Sequence, residues 1–211
     1  MSPQVFDMEQ GSEDWFRARA GIPTASRFAT VMAQGLKGES SKTRRTYMLQ
    51  LAGEILTGKP MDGYSNAHME RGHEMEPDAR QLYAFMTDAE PELVGFIRSG
   101  DKGASPDSLI GAAGLLEIKT KLPHLLIDVL LKDEFPAEHK AQCQGALWVS
   151  EREWIDIAVY WPGLPLFVKR AGRDEPYIAN LAAEVDRFNE ELAGVVERVR
   201  SYGMAPERAA A

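Results

Sequence analysis

The chain has 211 residues, of which 44% are hydrophobic and 27% charged, and it carries a net charge of −8. These values are typical of an ordinary soluble globular protein, and we expect one domain over residues 1–211 with a frayed tail after about residue 203. Because no apolar run has membrane-spanning length and the first residues lack an apolar signal core, we expect a cytoplasmic protein without a membrane partner.

The negative charge is unevenly distributed along the sequence. Residues 1–60 contain eight Lys and Arg against six Asp and Glu, whereas the rest of the chain carries a balance of −10. A surface that binds phosphate should therefore be local and should come mainly from the N-terminal quarter, which excludes a uniformly basic DNA-coating protein. The single Cys143 also excludes an intramolecular disulfide and a cysteine-based metal site.

The first half of the chain has the periodicity of helices. Ser12 is a typical N-cap and Gly21 a typical stop for the first helix, and Pro77 either kinks the last helix or begins another. A loop is expected at residues 35–41. The predicted helices cover residues 12–19, the stretch from after Ser26 to Gly35, residues 43–57 and residues 66–86.

From Leu93 onward the apolar pattern changes to the alternation of strands. Strands are predicted at residues 93–97, 154–161 and 164–169 and in a hairpin within residues 105–119. Helices are predicted at residues 125–131, 138–149 and 174–200. This order of elements predicts an α/β fold in which helices cover the faces of a sheet.

The hairpin has the clearest chemistry in the sequence. Its glycine-bearing turn at residues 111–114 brings Asp107 close to Glu117, and Glu117 and Lys119 point the same way because alternate residues of a strand share a face. Two carboxylates with a backbone carbonyl and waters suit Mg²⁺, which prefers hard oxygen ligands. A lysine beside them can orient a metal-bound water or stabilise charge on a phosphate.

A surface hairpin with an ordinary Glu–Lys pair is the alternative interpretation. Two similar sets elsewhere are poorer candidates for a metal site. Pro77-Asp78 lies in a helical pattern without a nearby Glu-x-Lys, and Glu138-His139-Lys140 opens a helix, where residues two apart diverge around the axis. Only the set at residues 107–119 combines strand alternation with a turn, so we place the site there.

Four segments in order along the chain resemble a known family. They are residues 15–21 with Thr24-Ala25-Ser26, residues 72–80, the hairpin with its Ser-Pro-Asp and Glu-x-Lys, and residues 141–144 with Leu147-Trp148. The hairpin resembles the core of PD-(D/E)XK nucleases. The four segments together resemble the phage lambda exonuclease and alkaline exonuclease family of YqaJ-type viral recombinases, over roughly residues 10–200. The resemblance implies a PD-(D/E)XK nuclease-like core, a central mixed β-sheet flanked by helices.

The resemblance assigns roles to residues of the hairpin and its neighbours. Asp107 and Glu117 match the two metal-binding carboxylates of the family, and the Ile118 carbonyl matches its main-chain ligand. Lys119 matches the lysine that positions the attacking water. Glu76 matches a further acidic residue at the metal, although by its own pattern it reads as a solvated helix carboxylate.

A glutamine and a phosphate pocket follow from the same resemblance. Gln144 matches a glutamine that supports the catalytic lysine, with Gln142 as the less favoured neighbour and a buried, backbone-bonded glutamine as the alternative. Arg19, Ser26 and Ser105 match a pocket for a terminal 5′ phosphate, which a guanidinium and two hydroxyls suit. The alternative interpretation is that Arg19 donates hydrogen bonds to the carbonyls at the end of its own helix. Contacts to the DNA backbone are expected at Lys37, Lys42, Arg44 and Arg45, unless these form only a solvated basic loop.

The resemblance implies a Mg²⁺-dependent 5′-to-3′ exodeoxyribonuclease in which Mn²⁺ can replace Mg²⁺. Its substrate would be linear double-stranded DNA with a 5′-phosphate end, and its products mononucleotides and 3′ tails for single-strand-annealing recombination. The implied partners are two further copies in a homotrimeric ring and a single-strand DNA annealing protein, in the cytoplasm of a bacterial host. The alternatives are a PD-(D/E)XK endonuclease, a RecB-like nuclease of other polarity, and a DNA-end-binding protein that does not cleave.

Overall fold

The computed structural model describes residues 2–35, 41–61 and 67–203. Eight strands occur in these residues: β1 (Gln4–Phe6), β2 (Pro91–Glu92), β3 (Phe96–Ser99), β4 (Lys102–Ala104), β5 (Ser108–Ile110), β6 (Gly114–Thr120), β7 (Trp154–Tyr160) and β8 (Phe167–Gly172). Seven α-helices accompany them: α1 (Glu13–Arg19), α2 (Phe28–Val31), α3 (Lys42–Thr57), α4 (Ala67–Thr87), α5 (Pro123–Lys132), α6 (Lys140–Ser150) and α7 (Glu175–Arg200). None of these helices is long and apolar enough to cross a membrane.

The main sheet has five strands in the order β2-β5-β6-β7-β8. Its neighbours are antiparallel except for β6 and β7, which run parallel and are joined through α5 and α6. This arrangement confirms the predicted α/β fold with a mixed sheet and flanking helices. A second sheet, β1-β3-β4, is antiparallel throughout.

The strand predicted at residues 93–97 is wrong in its bounds. The chain instead places β2 in the main sheet and β3 in the small sheet, with irregular backbone between them. The physical reason is that the two strands have different partners: β2 pairs with β5, whereas β3 pairs with β4 and with β1 near the start of the chain. Apolar alternation within one short segment cannot show such a change of partner.

The helix predictions agree with the structure at several caps. Ser12 accepts a hydrogen bond from the Trp15 N–H and so caps α1, and Gly58 ends α3 in the left-handed region with φ 67°. Helix α4 is continuous through Pro77, which therefore does not begin a separate helix. The second predicted helix is shorter than expected, because α2 ends at Val31 rather than at Gly35.

Strand β6 lies between two hydrophobic cores, and this position determines where its acidic residue lies. Leu116 and Ile118 pack into the smaller core with residues of α4, as the alternation predicts. Leu115, on the opposite face, is equally buried in the larger core beneath α6 and α7. Glu117 shares that second face and is only 2% exposed, so its carboxylate lies inside the protein rather than on a surface hairpin.

Arg44 has a structural role, which corrects its predicted contact with the DNA backbone. It is buried, its Nη1 and Nη2 donate to the Glu191 carboxylate at 2.6 and 3.0 Å, and its Nε donates to the Val31 carbonyl at 3.1 Å. The guanidinium therefore ties α3 to α7 and α2. Lys42 and Arg45 are exposed on α3, and their predicted DNA contact stays a prediction. Lys37 lies outside the described residues.

Replacing Arg44 by Ala is expected to lower the free energy of unfolding by about 2–3 kcal/mol. Breaking a fully buried pair costs more, but Glu191 is half-exposed and water can solvate it once its partner is gone. Urea unfolding of the purified variant measures this loss. The matched control is Arg45→Ala on the same helix, for which a change within about 0.5 kcal/mol is expected. Equal stability of the two variants would contradict the structural role.

Candidate active site

The β5–β6 hairpin brings Asp107 and Glu117 together as the sequence predicts. Asp107 directly precedes β5, and its N–H donates to the Leu116 carbonyl at 3.1 Å. Its carboxylate Oδ2 accepts a hydrogen bond from the Ile118 N–H at 2.5 Å. The backbone of β6 therefore fixes the Asp107 side chain beside the strand that carries Glu117.

Lys119 lies against the buried carboxylate of Glu117. Its Nζ is 2.6 Å from Glu117 Oε1. Burial opposes the charged form of Lys119, but the negative charges of Glu117 and Asp107 outweigh burial and raise the pKa of the ammonium above its usual value. The side chain is therefore a fixed positive charge at neutral pH, suited to stabilising a negative phosphate and unsuited to accepting a proton.

The structure reverses the sequence interpretation of the two glutamines on α6. Gln142 donates its Nε2 hydrogen to Glu117 Oε1 at 2.5 Å, so it is the glutamine at the site. Gln144 instead bridges backbone groups, donating to the Gly172 carbonyl at 2.9 Å and accepting from the Asp174 N–H at 2.8 Å. Residues two apart on a helix point in diverging directions, so only one of the two can face β6.

We expect Gln142→Ala and Gln144→Ala to have separable effects. Loss of Gln142 should lower kcat for DNA digestion by about tenfold to a hundredfold, as is usual for residues that orient a catalytic carboxylate. Loss of Gln144 should instead lower the free energy of unfolding by about 1–3 kcal/mol, because its buried side chain makes two hydrogen bonds to backbone groups that the variant loses. Digestion rates and urea unfolding of both variants test this, and the opposite assignment of effects would contradict it.

Glu76 reaches the same region from helix α4. It forms an ion pair with Arg80 one turn later, and the Arg80 Nε donates to Ser108 Oγ at 3.0 Å. Ser108 in turn donates to the Asp107 carbonyl at 2.6 Å. Glu76, Arg80 and Asp107 line one cavity of about 610 Å³. Arg80 was not singled out by the sequence, although its spacing of four residues from Glu76 is that of an ion pair on a helix.

The three carboxylates form an unfavourable cluster of negative charge. Burial raises the pKa of Asp107 well above its usual range, and the charges of Glu117 and then Glu76 raise it further, although Lys119 and the Ile118 N–H oppose this. In residues 2–35, 41–61 and 67–203, no three Asp, Glu, His or Cys side chains are already arranged as a complete metal cluster. The donor set nevertheless fits a hard divalent cation, since it is made of oxygen atoms whose mutual repulsion a cation would relieve.

A second group of polar side chains gathers around Arg19. Its Nη1 donates to Ser105 Oγ at 2.9 Å and its Nη2 to Thr24 Oγ1 at 3.4 Å, and Thr24 Oγ1 lies 3.4 Å from Ser26 Oγ. The structure therefore brings together the three residues of the predicted phosphate pocket and adds Thr24. Burial lowers the pKa of Arg19 to about 10, so the guanidinium stays positively charged at neutral pH. Arg17, two residues earlier on the same helix, points elsewhere and pairs with Glu13 and Asp14 in the first turn of α1.

The two groups of side chains lie on one continuous segment. Ser105 of the Arg19 group stands two residues before Asp107, and only Pro106 separates them. Gln10 holds this segment, because its side-chain amide donates to the Pro106 carbonyl at 3.0 Å and to the Val94 carbonyl at 2.8 Å. A phosphate at Arg19 would therefore lie close to the carboxylates.

Comparison with known proteins gives consistent matches. The YqaJ-like viral recombinase domain matches residues 14–153. The alkaline exonuclease LHK-Exo from Laribacter hongkongensis is 35% identical in sequence and has a TM-score of 0.81, with 90% of this chain and 97% of that one covered. Its complex with dAMP has the same identity and TM-score, and 92% and 100% of the two chains are covered.

A more distant structure shares the fold alone. The phage related exonuclease from Haemophilus somnus 129PT is 13% identical with a TM-score of 0.64, and 84% of this chain and 96% of that one are covered. No curated protein matches the sequence. The domain match spans most of the chain and includes both groups of side chains, and the similarity to the Laribacter enzyme extends over nine-tenths of this chain. The chain therefore belongs to the YqaJ-like viral recombinase family.

Proposed function

We propose that this member of a recombination nuclease family is a Mg²⁺-dependent 5′-to-3′ exodeoxyribonuclease. It would act on linear double-stranded DNA, release mononucleotides and leave 3′ single-stranded tails for annealing. The observation that carries the proposal is the convergence of Asp107, Glu117 and Lys119 at one end of the main sheet. The relative named alkaline exonuclease supports it, and so does that relative's complex with dAMP, which is a mononucleotide.

The residues that would hold the metal are Asp107, Glu117, the Ile118 carbonyl and Glu76. When bound, Mg²⁺ or a substituting Mn²⁺ supplies positive charge to the phosphate and lowers the pKa of water. To bind the metal, the Glu76 carboxylate would give up part of its contact with the Arg80 guanidinium. Arg80 would remain tied to Ser108 and so keep α4 against the hairpin.

The side chains around the carboxylates would carry out the remaining steps. Lys119 would hold the attacking water beside the scissile phosphate and offset the negative charge that develops there, while Gln142 would keep Glu117 oriented. Addition of water to phosphorus breaks the P–O3′ bond. The released mononucleotide then takes the proton on its 3′ oxygen, and the shortened strand ends in a new 5′ phosphate.

The group around Arg19 supports the proposed direction of digestion. Arg19, Ser105 and Ser26 together offer a guanidinium and two hydroxyls, a set that suits a terminal phosphate with free non-bridging oxygens. Since each cycle leaves a new 5′ phosphate, the strand end can enter this pocket again after every cleavage. A strand end with a 3′ hydroxyl carries no terminal phosphate whose negative charge could pair with the Arg19 guanidinium.

The direction of digestion can be tested with linear duplex DNA that carries a label at either the 5′ or the 3′ end of one strand. With Mg²⁺, we expect labelled mononucleotide to appear at once from the 5′ label and only late from the 3′ label. Release in the opposite order would exclude the proposed polarity and favour a RecB-like nuclease.

Closed circular DNA separates the remaining candidates. An enzyme that needs an end should leave it intact, whereas an endonuclease of the same fold would open it. A protein that binds DNA ends without cleaving would release no label from any substrate in any divalent metal. Either of the latter two results would overturn the proposal.

The proposal extends to an assembly and a partner. A homotrimeric ring around DNA would let an acidic chain hold its substrate, because a few positive side chains from each subunit would face one channel. The 3′ tail would pass to a single-strand DNA annealing protein in the cytoplasm of a bacterial host. Sedimentation of the purified protein measures the assembly directly, and a monomeric mass would contradict the ring.

A further inference from the structure

Ser105 receives two hydrogen bonds from groups that can only donate. The Trp15 indole Nε1–H donates to Ser105 Oγ at 2.9 Å, and the Arg19 Nη1–H donates to the same atom at 2.9 Å. Neither an indole N–H nor a guanidinium can accept a hydrogen bond. Both lone pairs of the Ser105 oxygen are therefore occupied, and its own O–H hydrogen must point to a third partner.

Trp15 contacts Arg19 as well as Ser105. The two residues stand four apart on α1, on one side of the helix, and the Arg19 Cζ lies 3.9 Å from the centre of the indole ring. The indole N–H also donates to the Gly95 carbonyl at 3.0 Å, and Phe16 packs edge-on against the ring at 5.0 Å between centroids. The ring face thus orients the guanidinium while the ring edge orients the hydroxyl.

We propose that Trp15 is a positioning residue that sets the preference for a 5′-phosphate end. Its N–H makes the Ser105 hydroxyl a donor aimed at an anion, so that the pocket presents only donors to its ligand. A phosphate oxygen accepts from every one of these groups, whereas a 5′ hydroxyl brings neither the charge nor the number of acceptors. This inference rests on the proposed function, because it concerns the ligand of the same pocket.

The test compares rates of mononucleotide release from linear duplexes that differ only in a 5′ phosphate or a 5′ hydroxyl. Trp15→Phe keeps an aromatic ring for Arg19 but removes the N–H. We expect the phosphate-to-hydroxyl ratio of kcat/KM to fall about tenfold, the usual effect of one hydrogen bond to a charged ligand. The double variant Trp15→Phe/Ser105→Ala should have the same ratio as Ser105→Ala alone, because Trp15 acts through Ser105.

A matched control is Trp154→Phe. Trp154 also carries a stacked guanidinium, with the Arg170 Cζ 3.5 Å from the ring centre, but it pairs with Gly114 at the end of β6 away from Lys119. Its substitution should leave the ratio unchanged. Trp15→His, which keeps a ring N–H, should retain more of the preference than Trp15→Phe, so that a general loss of packing is distinguished from loss of the donor.

The possible outcomes separate this inference from the proposed function. If the wild type prefers the phosphate and Ser105→Ala loses this preference while Trp15→Phe keeps it, the role of Trp15 is wrong and the pocket stands. Equal losses in Trp15→Phe and Trp15→His would also overturn the role, since packing alone would explain them. If the wild type digests both ends equally, the phosphate pocket itself is wrong.

Discussion

Replacing Lys119 by Ala is expected to lower kcat on linear duplex DNA by about 10²–10³-fold, because one preorganised positive donor at the reacting phosphate is lost. The ammonium is held 2.6 Å from Glu117 inside the site, so neighbouring side chains cannot take its place without rearrangement. Rates measured with saturating DNA and Mg²⁺ report this effect. Binding of DNA ends should change far less than kcat.

The matched control for Lys119 is Lys169→Ala. Lys169 lies on β8, two strands from Glu117 in the main sheet, and it pairs instead with Asp133 at 3.0 Å. We expect its removal to change kcat by less than a factor of about two, since surface pairs contribute little. A similar loss of kcat in both variants would mean that digestion depends on the overall positive charge of the protein and not on the position of Lys119.

The substitution Asp107→Asn is expected to abolish digestion and at the same time stabilise the metal-free protein by about 0.5–2 kcal/mol. The carboxylate is buried near two further carboxylates, Glu117 and Glu76, so neutralising it removes repulsion. An Asn oxygen can still accept the hydrogen bond from the Ile118 N–H. Urea unfolding without divalent metal measures the gain, and digestion with Mg²⁺ measures the loss.

Asp128→Asn serves as the control for Asp107. Asp128 is exposed on α5 and pairs with Lys132 at 2.6 Å, so its neutralisation should leave digestion intact and lower stability by at most a few tenths of a kcal/mol. Addition of Mg²⁺ should raise the stability of the wild type and leave Asp107→Asn nearly unchanged. If the metal-free Asp107→Asn protein were less stable than the wild type, repulsion between Asp107 and the other two carboxylates would not be a destabilising factor, and the prediction would be wrong.

The hairpin could be predicted from the sequence because its signals are local. The alternation from Leu115 to Lys119 and the glycine-bearing turn fix which residues pair, and pairing places Asp107 beside β6. The phosphate pocket, by contrast, was expected only from the family resemblance, because Arg19 and Ser105 are 86 residues apart in the sequence. For the hairpin alone, the local pattern was sufficient, because its pairing residues are close in the sequence.

The choice between Gln142 and Gln144 could not be made in this way. Helix α6 is buried on nearly all sides, with no polar face to show its orientation. An amphipathic helix would have indicated which glutamine faces the sheet, but here both positions look alike. The contact depends on how α6 packs across β6, which the spacing of residues within α6 does not reveal.

Arg44 was misread for a related reason. A basic stretch next to a loop is typical of a phosphate-binding surface, but the partner of Arg44 is Glu191, 147 residues away. Its burial follows from the packing of α3 on α7 through residues such as Tyr47 and Phe188, whose rings stack at 5.7 Å. The division of residues 91–99 between two sheets likewise depends on a distant partner for one of its strands, since β3 pairs with β1 near the start of the chain.

The central claim is that the hairpin carboxylates form a metal-dependent nuclease site. The most direct test is mononucleotide release from linear duplex DNA by the wild type and by Asp107→Asn, each with Mg²⁺ and after chelation. The account predicts release by the wild type with Mg²⁺ alone, no release after chelation, and none from the variant in either condition. Release that survives chelation, or that is equal in the variant, would contradict it.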